Sequence, residues 1–206
     1  MKSSHIILIV FVVAVVAFIF YSMQGGQSDE DFAKTIQKER EDKDHFMKTA
    51  SDSPFKDSVE LFKGLTYFAP NQKYRVNADL KDIDSKKVIV LPTSDGKETR
   101  YLEYAYASFG LDGVENKLLI LEVMDAGPER GKLFLAFADE TSAVETYGAG
   151  RYLDIKKVPG STAITLDFNL AYNPYCAYSD RFSCPFPPKE NVLKMAIMAG
   201  EKNYHE

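Results

Sequence analysis

The feature that most constrains this chain is a run of sixteen consecutive apolar or aromatic residues near its start, IILIVFVVAVVAFIFY over residues 6–21. A helix built from it has no polar face, so it does not suit the half-buried position of an amphipathic helix. At about 1.5 Å per residue it is about 24 Å long, or about 27 Å if Ser22 and Met23 extend it, against a hydrocarbon core of about 30 Å. The rival, a cleaved signal peptide, usually has an apolar region of about 7–15 residues that ends at small residues. Here the exit is Phe20-Tyr-Ser-Met-Gln-Gly-Gly26, without a small-x-small pair, and no Cys follows the run to take a lipid. An uncleaved single-pass anchor is therefore expected. Lys2 and the α-amino group precede the span and Asp29-Glu-Asp31 follows it. The positive-inside bias predicts a cytoplasmic N-terminus and an extracytoplasmic bulk, in the periplasm or at the cell surface.

The rest of the chain reads as one acidic globular unit. With 13% aromatics and only 27% charged residues, disorder is excluded. Two Cys, 12 Gly and a net charge of −5 without a basic cluster exclude a disulfide scaffold and a collagen-like chain and argue against a nucleic-acid protein. Three segments are expected: residues 1–27 as anchor and spacer, 28–50 as a charged helix, and 51–206 as a β-rich globular domain. Ser28, followed by an acid three residues on, marks a helix start. Glu30–Lys34, Glu39–Lys43 and Asp44–Lys48 are acid-first pairs at i,i+4. Phe32, Ile36 and Phe46 make only a thin apolar stripe, which predicts a solvated stalk or collar. A second short helix is expected from Ser53-Pro54 to near Gly64.

Beyond Tyr74 the dominant period is two. Tyr74, Val76, Ala78 and Leu80 alternate with Arg75, Asn77, Asp79 and Lys81, a half-buried strand. Further strands are expected over residues 87–91, 100–109, 117–124, 132–137, 151–155, 163–170 and 193–199. The fold class is mainly β (α+β): an antiparallel β sandwich or barrel of about eight strands, preceded by the transmembrane and charged helices.

In the strand at 163–170, Asp167 and Asn169 would project side by side. Downstream, Tyr172, Asn173 and Tyr175 crowd a loop rich in Tyr, Asn and Pro, which is costly unless folded onto something. Cys176 and Cys184 suit a small disulfide loop worth about 2–3 kcal/mol; a Cys/His zinc site and two free thiols are the alternatives. The only histidines, His5, His45 and His205, lie far from both cysteines, so no metal is expected. Tyr147-Gly-Ala-Gly-Arg151 is either a turn that cradles an anion, with Arg151 in bidentate contact, or a glycine turn into an edge strand with Arg151 paired to a carboxylate such as Asp167. No Gly-x-Ser-x-Gly, His-Glu-x-x-His, Walker loop or nucleotide fingerprint is present, and no cofactor is expected.

Several stretches resemble a known family: Phe62-Lys-Gly-Leu-Thr-Tyr-Phe68 with Tyr74-Arg-Val76; Thr146-Tyr-Gly-Ala-Gly-Arg-Tyr152; Leu166-Asp-Phe-Asn-Leu-Ala-Tyr-Asn-Pro-Tyr-Cys-Ala-Tyr178; Ser183-Cys-Pro-Phe-Pro-Pro-Lys-Glu-Asn191; and Ala199-Gly-Glu201. Together they resemble the bacterial domain of unknown function 1684, over nearly all of residues 30–203. The resemblance implies one intact domain and carries over no activity, substrate or catalytic residue.

The residues themselves suggest a membrane-anchored, extracytoplasmic domain that binds a small anionic or polar ligand through Arg151, Asp167, Asn169, Tyr172, Asn173 and Tyr175. The alternatives are a structural or interaction protein of the cell envelope, and a hydrolase with Asp167 as general base. An open pocket lined by Arg151, Asp167, Asn169 and Tyr172 would favour binding. Their burial in mutual hydrogen bonds would remove that site.

Overall fold

The computed structural model describes residues 12–13, 27–125, 127–156 and 158–204. The expected anchor at residues 6–21 lies outside the described residues except for Val12 and Val13. Among the described residues no helix is long and apolar enough to cross a membrane.

Helix α1, Asp29–Thr49, starts at Ser28, whose Oγ accepts from the Asp31 N–H at 3.1 Å. This satisfies one of the donors a helix start leaves bare. The expectation of a solvated stalk is corrected: Phe32, Ile36, Arg40 and Met47 are buried along one face. The thin apolar stripe docks because basic side chains share its face. Lys43 turns inward to Glu201 rather than to Glu39, while the Glu30–Lys34 pair forms at 2.6 Å on the solvent side. Residues 51–64 form turns and a single short 3-10 helix, Val59–Leu61, in place of a second α-helix. There the Ser53 hydroxyl donates to the Met47 carbonyl and accepts from the Phe55 N–H, so the chain turns rather than propagating a helix.

Seven strands follow: β1 Arg75–Asp82, β2 Val88–Pro92, β3 Glu98–Leu111, β4 Val114–Val123, β5 Leu133–Phe137, β6 Arg151–Ile155 and β7 Ala163–Asp167. They form one antiparallel sheet in the order β6-β5-β4-β3-β1-β7, with β2 paired to β3 off that path. The architecture is thus a curled half-barrel rather than a two-sheet sandwich or a closed barrel. Its outer strands come together through a single bridge, in which Tyr152 of β6 exchanges both backbone hydrogen bonds with Tyr172, beyond β7.

Local sequence explains the main shapes. Asp112 and Gly113 both take positive φ, 52° and 75°, and join β3 to β4 in a two-residue hairpin. A bulge between Glu103 and Ala105 shifts the β3 register. One inserted residue reverses which parity faces inward. Tyr101 therefore joins a small apolar cluster with Leu91, Leu119 and Leu121, while Ala105, Ala107 and Phe109 join the main core. β4 is buried on both faces, and all four residues from Leu118 to Leu121 are 0–1% exposed.

Two strand expectations are corrected. β7 stops at Asp167, and Phe168–Leu170 form a 3-10 turn capped by the Asp167 side chain, so Asp167 and Asn169 do not project side by side. Residues 193–199 form no ladder, because the carbonyls of Ile197 and Ala199 accept from the Arg151 guanidinium instead.

Candidate functional site

Two buried ionic centres lie at one end of the sheet, and each is introduced by a glycine. Gly150, at φ +86°, precedes Arg151; a Cβ there would lie 2.5 Å from the Phe137 carbonyl oxygen. Gly200, at φ +78°, precedes Glu201; a Cβ there would meet the Ala171 and Phe168 carbonyl oxygens at 2.6 and 2.7 Å. Only glycine combines that backbone conformation with so close an approach.

Arg151 is fully buried. Nη2 donates to Asp139 Oδ2 at 2.8 Å and to the Ile197 carbonyl at 3.0 Å; Nη1 donates to the Ala199 and Glu201 carbonyls. Asp139 Oδ1 is occupied in turn by the Thr141 N–H and hydroxyl and by the Ile197 N–H. Burial pulls the guanidinium below its ordinary pKa, and Asp139 opposes that pull. The expected anion contact of Arg151 is thus replaced by an internal clamp on the C-terminal segment, and its carboxylate partner is Asp139, not Asp167.

The other expected ligand residues divide. Asp167 Oδ1 accepts from Asn169 N and Nδ2, and its Oδ2 faces Arg75 at 3.8 Å. Asn169, also buried, exchanges two side-chain hydrogen bonds with the Asn71 backbone. Tyr175 packs against Phe46 and Phe182. None of these three lines an open cleft with Arg151. Glu145, Glu190 and His45 are exposed. His5 and His205 lie outside the described residues.

Tyr172 and Asn173 reach the second centre, which sequence reasoning missed. Glu201 accepts from Asn173 Nδ2 at 2.9 Å, from the Asn173 N–H at 3.3 Å and from the Tyr178 hydroxyl, and its Oε2 lies 3.5 Å from Lys43 Nζ. Lys43 also sits 3.9 Å above the Tyr172 ring, whose hydroxyl donates to Asp154 at 2.8 Å. Arg40 stacks 4.4 Å over Tyr67, whose backbone is bridged to that of Glu201. The Tyr67 hydroxyl, Asn173 Oδ1 and Arg40 Nε are buried without a hydrogen-bond partner. Beside Asp154 opens a shallow depression of about 340 Å³, bordered by Glu129, Lys132, Leu133 and Ile155. The available signal was Glu201 itself, the acid that follows Gly200 at the end of the apolar run Met195–Ala199.

Burial pushes the Glu201 carboxyl above its ordinary 4.5, with Lys43 and Tyr178 opposing, and pulls Lys43 below its ordinary 10.5, with Glu201 opposing. A carboxyl raised on folding stabilises the fold below its unfolded pKa and loses that contribution as pH rises through the folded one. The stability of the wild type relative to Glu201→Gln is therefore expected to fall as pH rises above 4.5. Urea midpoints of the two proteins across about pH 4–8 would measure this, and a constant difference would refute it.

The two cysteines are adjacent and unbonded, with the Cys176 N–H 3.2 Å from Cys184 Sγ. Among the described residues no group of three or more His, Cys, Asp or Glu side chains could hold a metal ion.

The family described as "Protein of unknown function (DUF1684)" matches residues 60–202, a span that contains Tyr67, Arg151, Asn173, Tyr178 and Glu201. The chain belongs to this family. Its fold is shared by an uncharacterized protein from gene locus rrnAC0354 of Haloarcula marismortui, solved in solution by NMR. That protein is 40% identical, with a TM-score of 0.64 over 84% of this chain and 95% of that one. No curated protein matches the chain.

Proposed function

We propose that this protein is a membrane-tethered, extracytoplasmic domain that binds a small polar ligand at the Glu201–Lys43 centre. The observation that carries the proposal is the set of three unpartnered buried polar groups gathered around one ion pair: the Tyr67 hydroxyl, Asn173 Oδ1 and Arg40 Nε. Each such group costs about 1–3 kcal/mol when left unmatched in the interior. A hydroxyl, an acceptor and a cationic donor suit a ligand bearing hydroxyl and carboxylate groups, with Tyr67 and Tyr172 as aromatic walls. Asp154, which accepts from Tyr172, borders the nearby depression. Residues 6–21 supply the tether, and the lysine before them and acids after them direct the domain outward.

The test is a thermal-shift screen of the full chain in detergent against envelope sugars, nucleotides and small carboxylates, repeated with Tyr67→Phe. This variant deletes a hydroxyl that has no partner, so its unliganded stability is expected to be equal or higher by about 1 kcal/mol. A ligand that stabilises the wild type is expected to lose its effect in the variant. Silence across the panel, or a shift that survives Tyr67→Phe, would overturn the site. Alkaline extraction of membranes tests the tether, which predicts that the chain stays in the pellet.

A second reading, a structural or interaction protein of the envelope, is favoured by how completely Asn169 and Asn191 are consumed in internal hydrogen bonds.

A further inference from the structure

We infer that Cys176 and Cys184 form an exchange-active dithiol that reacts with low-molecular-weight disulfides, Cys176 attacking and Cys184 resolving. The inference is independent of the ligand site, and it goes beyond a static cross-link because the two sulfurs occupy unequal surroundings. Cys176 lies on the short 3-10 turn Tyr175–Ala177 and is half-buried. Cys184 is 7% exposed and is pinned by two hydrogen bonds to Ser94: its carbonyl accepts from the Ser94 N–H, and its own N–H donates to Ser94 Oγ. The two residues are in direct contact: Cys184 Sγ accepts from the Cys176 N–H at 3.2 Å.

The Tyr147 hydroxyl lies 3.9 Å from Cys176 Sγ. Around this polar contact the pair is walled by Tyr152, Tyr172, Tyr175 and Phe182. The hydrogen bond with Cys184 holds the Cys176 thiol down to about 6, with Ser94 and Tyr147 adding to it and burial opposing. The same shared hydrogen bond, with burial, pushes Cys184 up. Such asymmetry provides one accessible thiolate at neutral pH beside a protonated partner, the arrangement that exchange needs.

The chemistry balances without a further oxidant. The Cys176 thiolate attacks one sulfur of RS–SR, forming a Cys176–SR bond and releasing RS⁻. Cys184 then loses its proton and attacks Cys176 Sγ, closing the internal disulfide and expelling the second RS⁻. The two cysteines are oxidised, RS–SR is reduced, and the two thiol protons end on two RSH.

The test treats the reduced full chain with oxidised glutathione, followed by acid quenching and peptide mass mapping. The wild type is expected to reach the internal disulfide, and Cys184→Ser to accumulate one glutathione on Cys176. Cys176→Ser is expected to react about tenfold more slowly or less, its remaining thiol being buried and protonated. Alkylation of Cys176 in the wild type is expected to be half-maximal near pH 6, against about 8.5 for a free cysteine. Tyr147→Phe, which keeps the ring, is expected to move that midpoint upward. Two intact thiols after treatment, a first adduct on Cys184, or an alkylation midpoint near that of a free cysteine would overturn the inference.

Discussion

Replacing Arg151 by Met is expected to lower the unfolding free energy by about 3–5 kcal/mol, the usual cost of removing one partner of a buried ion pair. The pair is fully desolvated on both sides, so solvent screening does not reduce the figure. Asp139 would be left as a buried charge, and the carbonyls of Ile197 and Ala199 would lose their donor. The C-terminal segment would then loosen from β6 and carry Glu201 with it. Urea unfolding followed by circular dichroism measures the loss. The double variant Arg151→Met/Asp139→Leu is expected to recover part of it, because no unpaired charge then remains. If the single variant keeps the wild-type midpoint, the clamp is not structural.

Asn191→Ala is expected to cost a similar amount, roughly 3–6 kcal/mol, for a different reason. β4 and β5 pair only at Leu121↔Phe134 and Glu122↔Leu133. Continuing that register would bring Leu119 to Ala136, but the fully buried Asn191 amide lies there instead. Its Oδ1 accepts from the Leu119 N–H at 2.7 Å, and its Nδ2 donates to the carbonyls of Leu119 and Ala136 at 2.9 and 2.8 Å. One side chain thus continues the ladder where the strands part. Truncation leaves three buried backbone groups unmatched. Asn191→Asp keeps the acceptor but turns Nδ2, the donor to both carbonyls, into an oxygen facing them, so it is expected to be no better than Ala despite its size. Thermal midpoints of the two variants decide this; a clearly milder effect in the Asp variant would show that volume, not hydrogen bonding, sets the cost.

Much of the sheet was legible because a half-buried strand must alternate. Val76 and Ala78 against Arg75 and Asn77 announce β1. The tail at 193–199 alternates as well, yet makes no ladder, because what satisfies its carbonyls is a guanidinium 46 positions upstream of Ile197. No local pattern encodes that distance. The same limit hid the partner of Arg151 and the inward turn of Lys43, since charges pair by where the fold delivers them. The Tyr- and Asn-rich loop turns part of its polarity into the molecule, where Asn173 Nδ2 donates to Glu201 and to the Lys202 carbonyl. Asn169 and Asn173 stand in for missing backbone partners and do not form a surface.

The docking of α1 has a consequence for the order of synthesis. Arg40 hydrogen-bonds the Asn169 carbonyl, 129 residues later in the chain, and Lys43 meets Glu201 later still. Arg40 is therefore synthesised roughly 6 to 26 seconds before Asn169, at about 5–20 residues per second. Met47 can meet Phe55 and Phe62 early, whereas the Arg40 and Lys43 contacts wait for the last part of the chain. An early-made helix is thus secured only by late-made partners, and a chain shortened before Glu201 would never supply the last of them.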